Sequence, residues 1–336
     1  MSEALLEITR GDVIECIHRG DIAVVNCCGE LLHSCGDPYK VTYFRSAAKP
    51  IQALHVFTSG AADRFNISDK EIAVICSSHY AEEFHRQTIR SILAKIGLTE
   101  ENILGGTVTS LNSDYALQLA REGVPLSPIF SDCSGKHSGM LATCVHKGYN
   151  LTSYLSPEHP CQQNILTILA DVCDVPPEDI KIGVDGCSAP VHALPIRNMA
   201  LGFARLANQQ CLPSTLAPYA SKIFSAMNSY PEMVSGTGGF CTELIKHTQG
   251  LLIGKIGAEG VYCVGIKGMD VGIAVKVENG SMDVLPPIVM DILDKLGCLD
   301  EEMKGKLAAF THKSNVNDIN TVVGEYRSVL QLKAAG

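Results

Sequence analysis

The sequence predicts an α+β layered fold: an antiparallel sheet of N- and C-terminal strands, flanked by helices, around a helix-rich middle. Three observations predict it. Strand patterns crowd the two ends of the chain, and the segment 195–228 has helical spacing. Residues 250–280 alternate glycine with β-branched residues and end in an Asn-Gly turn.

In chain order, "DIAVVNCCGELLHSC" (21–35) predicts two short strands around a Gly-containing turn. "KEIAVIC" (70–76) predicts a buried strand running into "SSHYAEE". A helix is expected over 82–97, ending in glycine. "IKIGVDGCSAP" (180–190) repeats the strand-then-turn design. "GLLIGKIGAEGVYCVGIKGMDVGIAVKVENG" (250–280) predicts an antiparallel meander with a helix from about 287 to 297 behind it. No repeat, low-complexity tract or Pro/Ser-rich linker divides the chain, so 1–336 is expected to be one domain or two intimate lobes.

Composition narrows the partners. The chain carries 46% hydrophobic and 19% charged residues, a net charge of −9 and no Lys/Arg-rich block. A nucleic-acid or anionic-membrane surface is therefore not expected, and a small polar metabolite fits better. No stretch approaches the roughly 20 apolar residues of a membrane span. The first twenty residues hold no apolar run of signal-peptide length. With no export signal, the 14 cysteines are expected as thiols in a reducing cytoplasm rather than as a disulfide framework.

Four stretches could carry chemistry. "FRSAAKP" (44–50) sets Ser46 and Lys49 three apart, on one face if a helix starts here. Ser46 could be a nucleophile with Lys49 as its base, or merely a helix cap. A lysine acts as a base near neutrality only when burial or nearby positive charge lowers its pKa, and Arg45 could supply such charge. "CSSHYAEE" (76–83) offers Ser77, Ser78 and His79 as a second relay or as a capping cluster. "GKIGAEG" (254–260) places Lys255 and Gly257 on a strand, where Gly257 would let a substrate approach the backbone. The amides of Ser46 and Ala258 could form an oxyanion hole. "SDCSGKHSGM" (131–140) and "VDGCSAP" (184–190) present Cys133, Lys136, His137, Asp185 and Cys187 from turns. Two thiols are a start for a soft metal site, but CxxC spacing is absent and, on the residues alone, two buried cysteines are the better reading.

Together, "HRGDIAVVN", "FRSAAKPIQAL", "SSH", "CSGKHSGM", "VDGCSAP" and "KIGAEGVY" resemble, in that order, the asparaginase II family, the class 3 L-asparaginases. The resemblance spans about residues 8 to 330 and implies a fold related to serine β-lactamases, penicillin-binding proteins and serine glutaminases. It implies hydrolysis of L-asparagine to L-aspartate and ammonia. By the family pattern, Ser46–Lys49 and Ser78–Lys255 are the catalytic pairs, with Ser46 favoured as the acylated serine. Cys133, Lys136 and Cys187 fall on a zinc site, with Asp185 and His137 as its neighbours. Asp185 and Arg45 are candidate partners for the substrate's α-ammonium and α-carboxylate. A homodimer is the expected assembly. The chain departs from the pattern at "YAEEF" after SSH, where relatives carry Ser-Gly-Glu-Pro, and at "GGFCT" (238–242), where they tend toward Gly-Arg-Phe-Asp. The missing Arg and Asp put substrate positioning in question. Rival readings are a glutamine- or β-lactam-directed hydrolase on the same scaffold and a non-catalytic thiol-rich metal-binding protein.

Overall fold

The computed structural model describes residues 1–335 and places the expected strands at the two ends of the chain. The N-terminal strands are β1 (Glu3–Arg10), β2 (Val13–Asn26), β3 (Leu31–Cys35) and β4 (Val41–Tyr43). β5 (Lys181–Val184) and β6 (Pro190–Pro195) lie in the middle of the chain. The C-terminal strands are β7 (Leu252–Gly257), β8 (Val261–Ile266), β9 (Val271–Val277), β10 (Ser314–Val316), β11 (Val322–Ser328) and β12 (Lys333–Ala334). Among the described residues they form a nine-stranded sheet in the order β10-β11-β1-β2-β9-β8-β7, with β3 between β2 and β12 off that path, and a separate sheet β4-β6-β5. Every pairing is antiparallel.

β8 and β9 are buried along their whole length because helices cover both faces. Helix 196–207 packs on β2, β8 and β9, and helix 285–295 packs on the same region of the sheet and on β11. The glycines of the 250–280 pattern explain the close fit. Gly265 and Gly272 face one another across β8 and β9. A Cβ on Gly265 would lie 2.2 Å from the Phe203 carbonyl oxygen, and one on Gly272 would lie 1.9 Å from that of Ala200. The bare pair leaves a flat spot into which helix 196–207 sinks.

The expected strand at 70–76 is instead a helix, Asp69–Ile75. Ser68 caps it and Glu71 reaches back in a reciprocal capping box, so the apolar run belongs to a short buried helix. The remaining expectations for secondary structure hold. Helix 83–95 ends before Gly97 at φ +71°, helices 196–207 and 217–229 fill the middle, and helix 285–295 lies behind the meander.

Candidate active site

The site lies where the outer strand β7 meets the first helical turns of the middle region. Ser46 belongs to a 3-10 turn, Arg45–Ala48, which runs into helix Lys49–Gln52. Gly257, at the end of β7, sits against this turn: a Cβ there would be 3.0 Å from the Phe44 carbonyl oxygen and 3.2 Å from the Ala47 nitrogen. Its bareness lets the strand and the turn approach each other closely.

Ser78 follows helix 69–75 and is held by its backbone N–H donating to the Val234 carbonyl at 3.0 Å. Helix 134–147 comes equally close from the other side, since a Cβ on Gly135 would lie 2.0 Å from the Val74 oxygen. Two buried lysines converge on the Ser78 hydroxyl. Lys49 Nζ is 3.0 Å from Ser78 Oγ and Lys255 Nζ is 2.8 Å from it. Lys49 also donates to the Ser77 carbonyl at 2.7 Å and approaches the Asp132 carbonyl at 3.3 Å and its carboxylate at 3.4 Å. Lys255 donates to the Ile256 carbonyl at 2.7 Å. The Ser78–Lys255 pair thus exists as expected. Ser46 and Lys49 do not pair: Lys49 extends to Ser78, and among the described residues Ser46 Oγ has no hydrogen-bond partner.

The two amines are not equivalent. Burial, opposed chiefly by Cys241 and reinforced by the Lys49 charge, lowers the Lys255 pKa to about 8. For Lys49, burial also pushes downward, but Cys133 and the Asp132 carboxylate outweigh it and hold the ammonium above the ordinary lysine range. The lowering expected for Lys49 falls on Lys255 instead. Arg45 does not drive it, because its Nε is paired to Asp185 Oδ1 at 3.1 Å.

A cavity of about 420 Å³ opens over these groups, lined by Arg45, Ser46, Ser78, Asp132, Asp185 and Ala258 among others. Cys133 and Cys187 form part of its wall. Arg45 has φ +52°, uncommon for a non-glycine residue, immediately before the half-buried Ser46. Arg45 and Asp185 face the cavity as expected, but joined to each other. His137 does not line it: the ring is fully buried, with Nδ1 2.7 Å from the Tyr154 hydroxyl. His79 is structural too, with Nε2 2.9 Å from Ser134 Oγ and Nδ1 accepting from the Ala81 amide at 3.0 Å.

Beside the cavity, Cys133 and Cys187 pack together and Lys136 Nζ lies 3.1 Å from Cys187 Sγ. The neighbouring Cys133 thiol and the Lys136 ammonium hold Cys187 well below the ordinary thiol range. Cys187 in turn raises Cys133, and outweighs the effect of burial to raise Lys136. Two sulfurs and an amine form a soft donor set that fits zinc once the protons on Cys133 and Lys136 are given up. The buried Nε2 of His137 makes no hydrogen bond, and the ring's nearness to Cys187 helps lower that thiol's pKa.

Asp132, which the sequence reading passed over, touches Lys49 and lines the cavity; its position beside Cys133 in SDCSGKH was the available signal. Cys241, where relatives tend toward Asp, accepts from the Ile256 amide at 3.3 Å and from the Tyr262 hydroxyl at 3.5 Å. The two departures from the family pattern meet in space. The Tyr80 amide donates to the Ser235 carbonyl at 2.7 Å, and Glu82 accepts from the Thr237 amide at 2.8 Å. A Cβ on Gly239 would lie 2.8 Å from the Tyr80 hydroxyl, so the glycine standing at the Arg position makes room for that ring.

The fold and site are those of an α+β body with a serine held by two buried lysines at its sheet edge. The chain belongs to the L-asparaginase II family, whose family model matches residues 6–328, which makes it one of a family of amidohydrolases. Among solved structures it is similar to a β-lactamase from Mycobacterium bovis, with 12% identity and a TM-score of 0.42 over 82% of this chain and 94% of that one. It is also similar to Mglu in its native form, with 15% identity and a TM-score of 0.36 over 84% of this chain and 66% of that one. Against Mglu in its L-glutamate-binding form the identity is 16% and the TM-score 0.38, over 84% and 61%. No curated protein matches this sequence.

Proposed function

We propose that the protein hydrolyses L-asparagine to L-aspartate and ammonia through a serine ester. Family membership supports the amide chemistry, and one observation carries the mechanism: Ser78 Oγ lies between Lys49 and Lys255. Lys49 has acceptors for all three of its protons and acts as the fixed cation. Lys255, with its pKa lowered to about 8, is the amine available in neutral form. Neutral Lys255 donates a hydrogen bond to the Ile256 carbonyl and its lone pair accepts the Ser78 hydroxyl proton, while Lys49 stabilises the oxygen left behind. The Ser78 oxygen attacks the side-chain carbonyl carbon, and the Lys255 proton passes to the departing nitrogen, which leaves as ammonia. Water, deprotonated by the same amine, then attacks the ester carbon and releases aspartate, and the proton passes from Lys255 to the departing Ser78 oxygen. Ala258 and Ser46 line the same cavity, and their amides would serve as the oxyanion donors.

The cavity suits a small zwitterion. Arg45 would take the α-carboxylate and Asp185 the α-ammonium, each exchanging its present partner for the substrate. Cys133, Lys136 and Cys187 would hold zinc, which when bound supplies a Lewis-acid charge beside the pocket. A second reading gives the attack to Ser46, favoured by its position in the cavity and the strained Arg45 before it, with Ser78 relaying the proton.

Ammonia release from L-asparagine and L-glutamine, with nitrocefin as a third substrate, tests the function. The expected result is turnover of asparagine at the highest kcat/KM, supported by zinc. No ammonia from asparagine, or a higher kcat/KM with glutamine or nitrocefin, overturns it.

A further inference from the structure

Far from the cavity, three thiols converge that the reaction does not use. Cys27 Sγ is 3.0 Å from Cys211 Sγ, Cys28 Sγ is 3.4 Å from it, and all three sulfurs lie within 4.8 Å of one another. We propose that Cys27, Cys28 and Cys211 form a second zinc site, a three-sulfur cradle with its fourth position open to solvent.

The cradle is held from several sides. Cys27 and Cys28 sit in the turn after β2, where Asn26 Oδ1 accepts from the amides of Cys28 at 3.1 Å and Glu30 at 2.9 Å. This Asx-type turn presents adjacent sulfurs from a fixed backbone. The Cys27 amide donates to the Asp270 carbonyl at 3.0 Å, and Arg205 donates to the Cys27 carbonyl at 3.3 Å. Cys211 closes the 3-10 turn Gln209–Cys211, whose Asn208 cap accepts from the Gln210 amide at 3.2 Å. The Asn208 side-chain amide also donates to Asp270 and, at 3.6 Å, to Cys27 Sγ. A donor to a ligand sulfur and fixed backbone on both contributing segments are features that support metal ligands.

The dimensions favour a metal over a disulfide. A disulfide would use two of the sulfurs and leave the third idle, whereas all three sulfurs lie within 4.8 Å of one another. Tetrahedral zinc–sulfur bonds of about 2.3 Å set sulfurs about 3.8 Å apart, so Cys211 Sγ, at 3.0 Å from Cys27 Sγ and 3.4 Å from Cys28 Sγ, needs to move by less than about 1 Å. Cys28 is exposed and Cys211 half-buried, which gives the ion a path in, while buried Cys27 anchors the floor. Each thiol that ligates releases its proton to solvent. Bound there, zinc would tie the end of β2 to the segment after helix 196–207.

The test uses the purified full chain under reducing conditions, loaded with zinc and passed over a weak chelator. Metal is counted in the wild type, in Cys28→Ser/Cys211→Ser and in Cys133→Ser/Cys187→Ser. Because Cys28 and Cys211 are solvent-accessible, the first variant should fold and keep the amidase rate. The proposal expects it to hold about one zinc fewer than wild type, and cobalt substitution of the wild type to give a sulfur-to-metal band more intense than this variant shows, the excess disappearing when chelator is added. The second variant should keep that zinc, which separates this site from the one beside the cavity whatever the fate of the asparaginase reading. Equal zinc in the wild type and Cys28→Ser/Cys211→Ser overturns the proposal. So does a Cys27–Cys211 disulfide as the resting state in the presence of reductant.

Discussion

Lys255→Met lowers kcat for asparagine by on the order of 10²–10⁴-fold, because the variant keeps the bulk of the side chain but has no lone pair to accept the Ser78 proton. Lys255→Arg should fare no better, since a guanidinium stays protonated at any working pH. Ser78→Ala removes the oxygen on which both amines converge and should be at least as damaging. Neither effect should come from misfolding, so far-UV circular dichroism and cavity binding of aspartate should persist. Peptide mapping of a quenched reaction then places the acyl group. On Ser78 it supports direct attack; on Ser46 it assigns attack to Ser46 and makes Ser78 the relay. Activity within a few-fold of wild type in Lys255→Met or Ser78→Ala would remove this centre from the mechanism.

The largest stability effect is expected at Gly272. A methyl there would sit 1.9 Å from the Ala200 oxygen and 2.6 Å from the Ala204 nitrogen, both backbone atoms of helix 196–207. No rotamer change relieves such a contact, so helix or sheet must shift. Gly272→Ala should cost roughly 2–3 kcal/mol and lower Tm by roughly 5 °C. Gly305→Ala is the control, because a Cβ there meets nothing within 4 Å in helix 301–306. Its Tm should stay level or rise slightly. Equal Tm values for the two variants would mean that the β8–β9 glycine pair does not set the distance to the helix.

The meander was legible because its Gly and β-branched pattern reflects local pleating and burial on both faces, which the sequence records residue by residue. The helix at 69–75 was not, since "EIAVI" satisfies a buried strand and a buried helix alike; the Ser68–Glu71 capping box was the overlooked signal. At the site, Ser46, Lys49, Ser78 and Lys255 could be picked out by motif, but their partnerships could not. Three-residue spacing brings Ser46 and Lys49 to one side of a turn, while the reach of a lysine lets its amine choose a hydroxyl from another segment. Lys49 chose Ser78 because Asp132 and the Ser77 carbonyl surround the same point. Arg45 and Asp185 could be named as charges, but not as partners of each other. Cys27 and Cys211 are 184 residues apart, and only the packing of helix 196–207 against β2 brings them together.

The pH dependence of kcat, measured at saturating asparagine with chemistry rate-limiting, tests the central claim most directly. Burial disfavours the charged form of Lys255, so its pKa is lowered to about 8 and the amine is protonated below that value. The account predicts a kcat that falls about tenfold per unit as pH drops below about 8 and levels off above it, with Lys49 remaining cationic across the plateau. A flat profile from about pH 6 to about pH 9 would contradict a lysine acting as the base on Ser78.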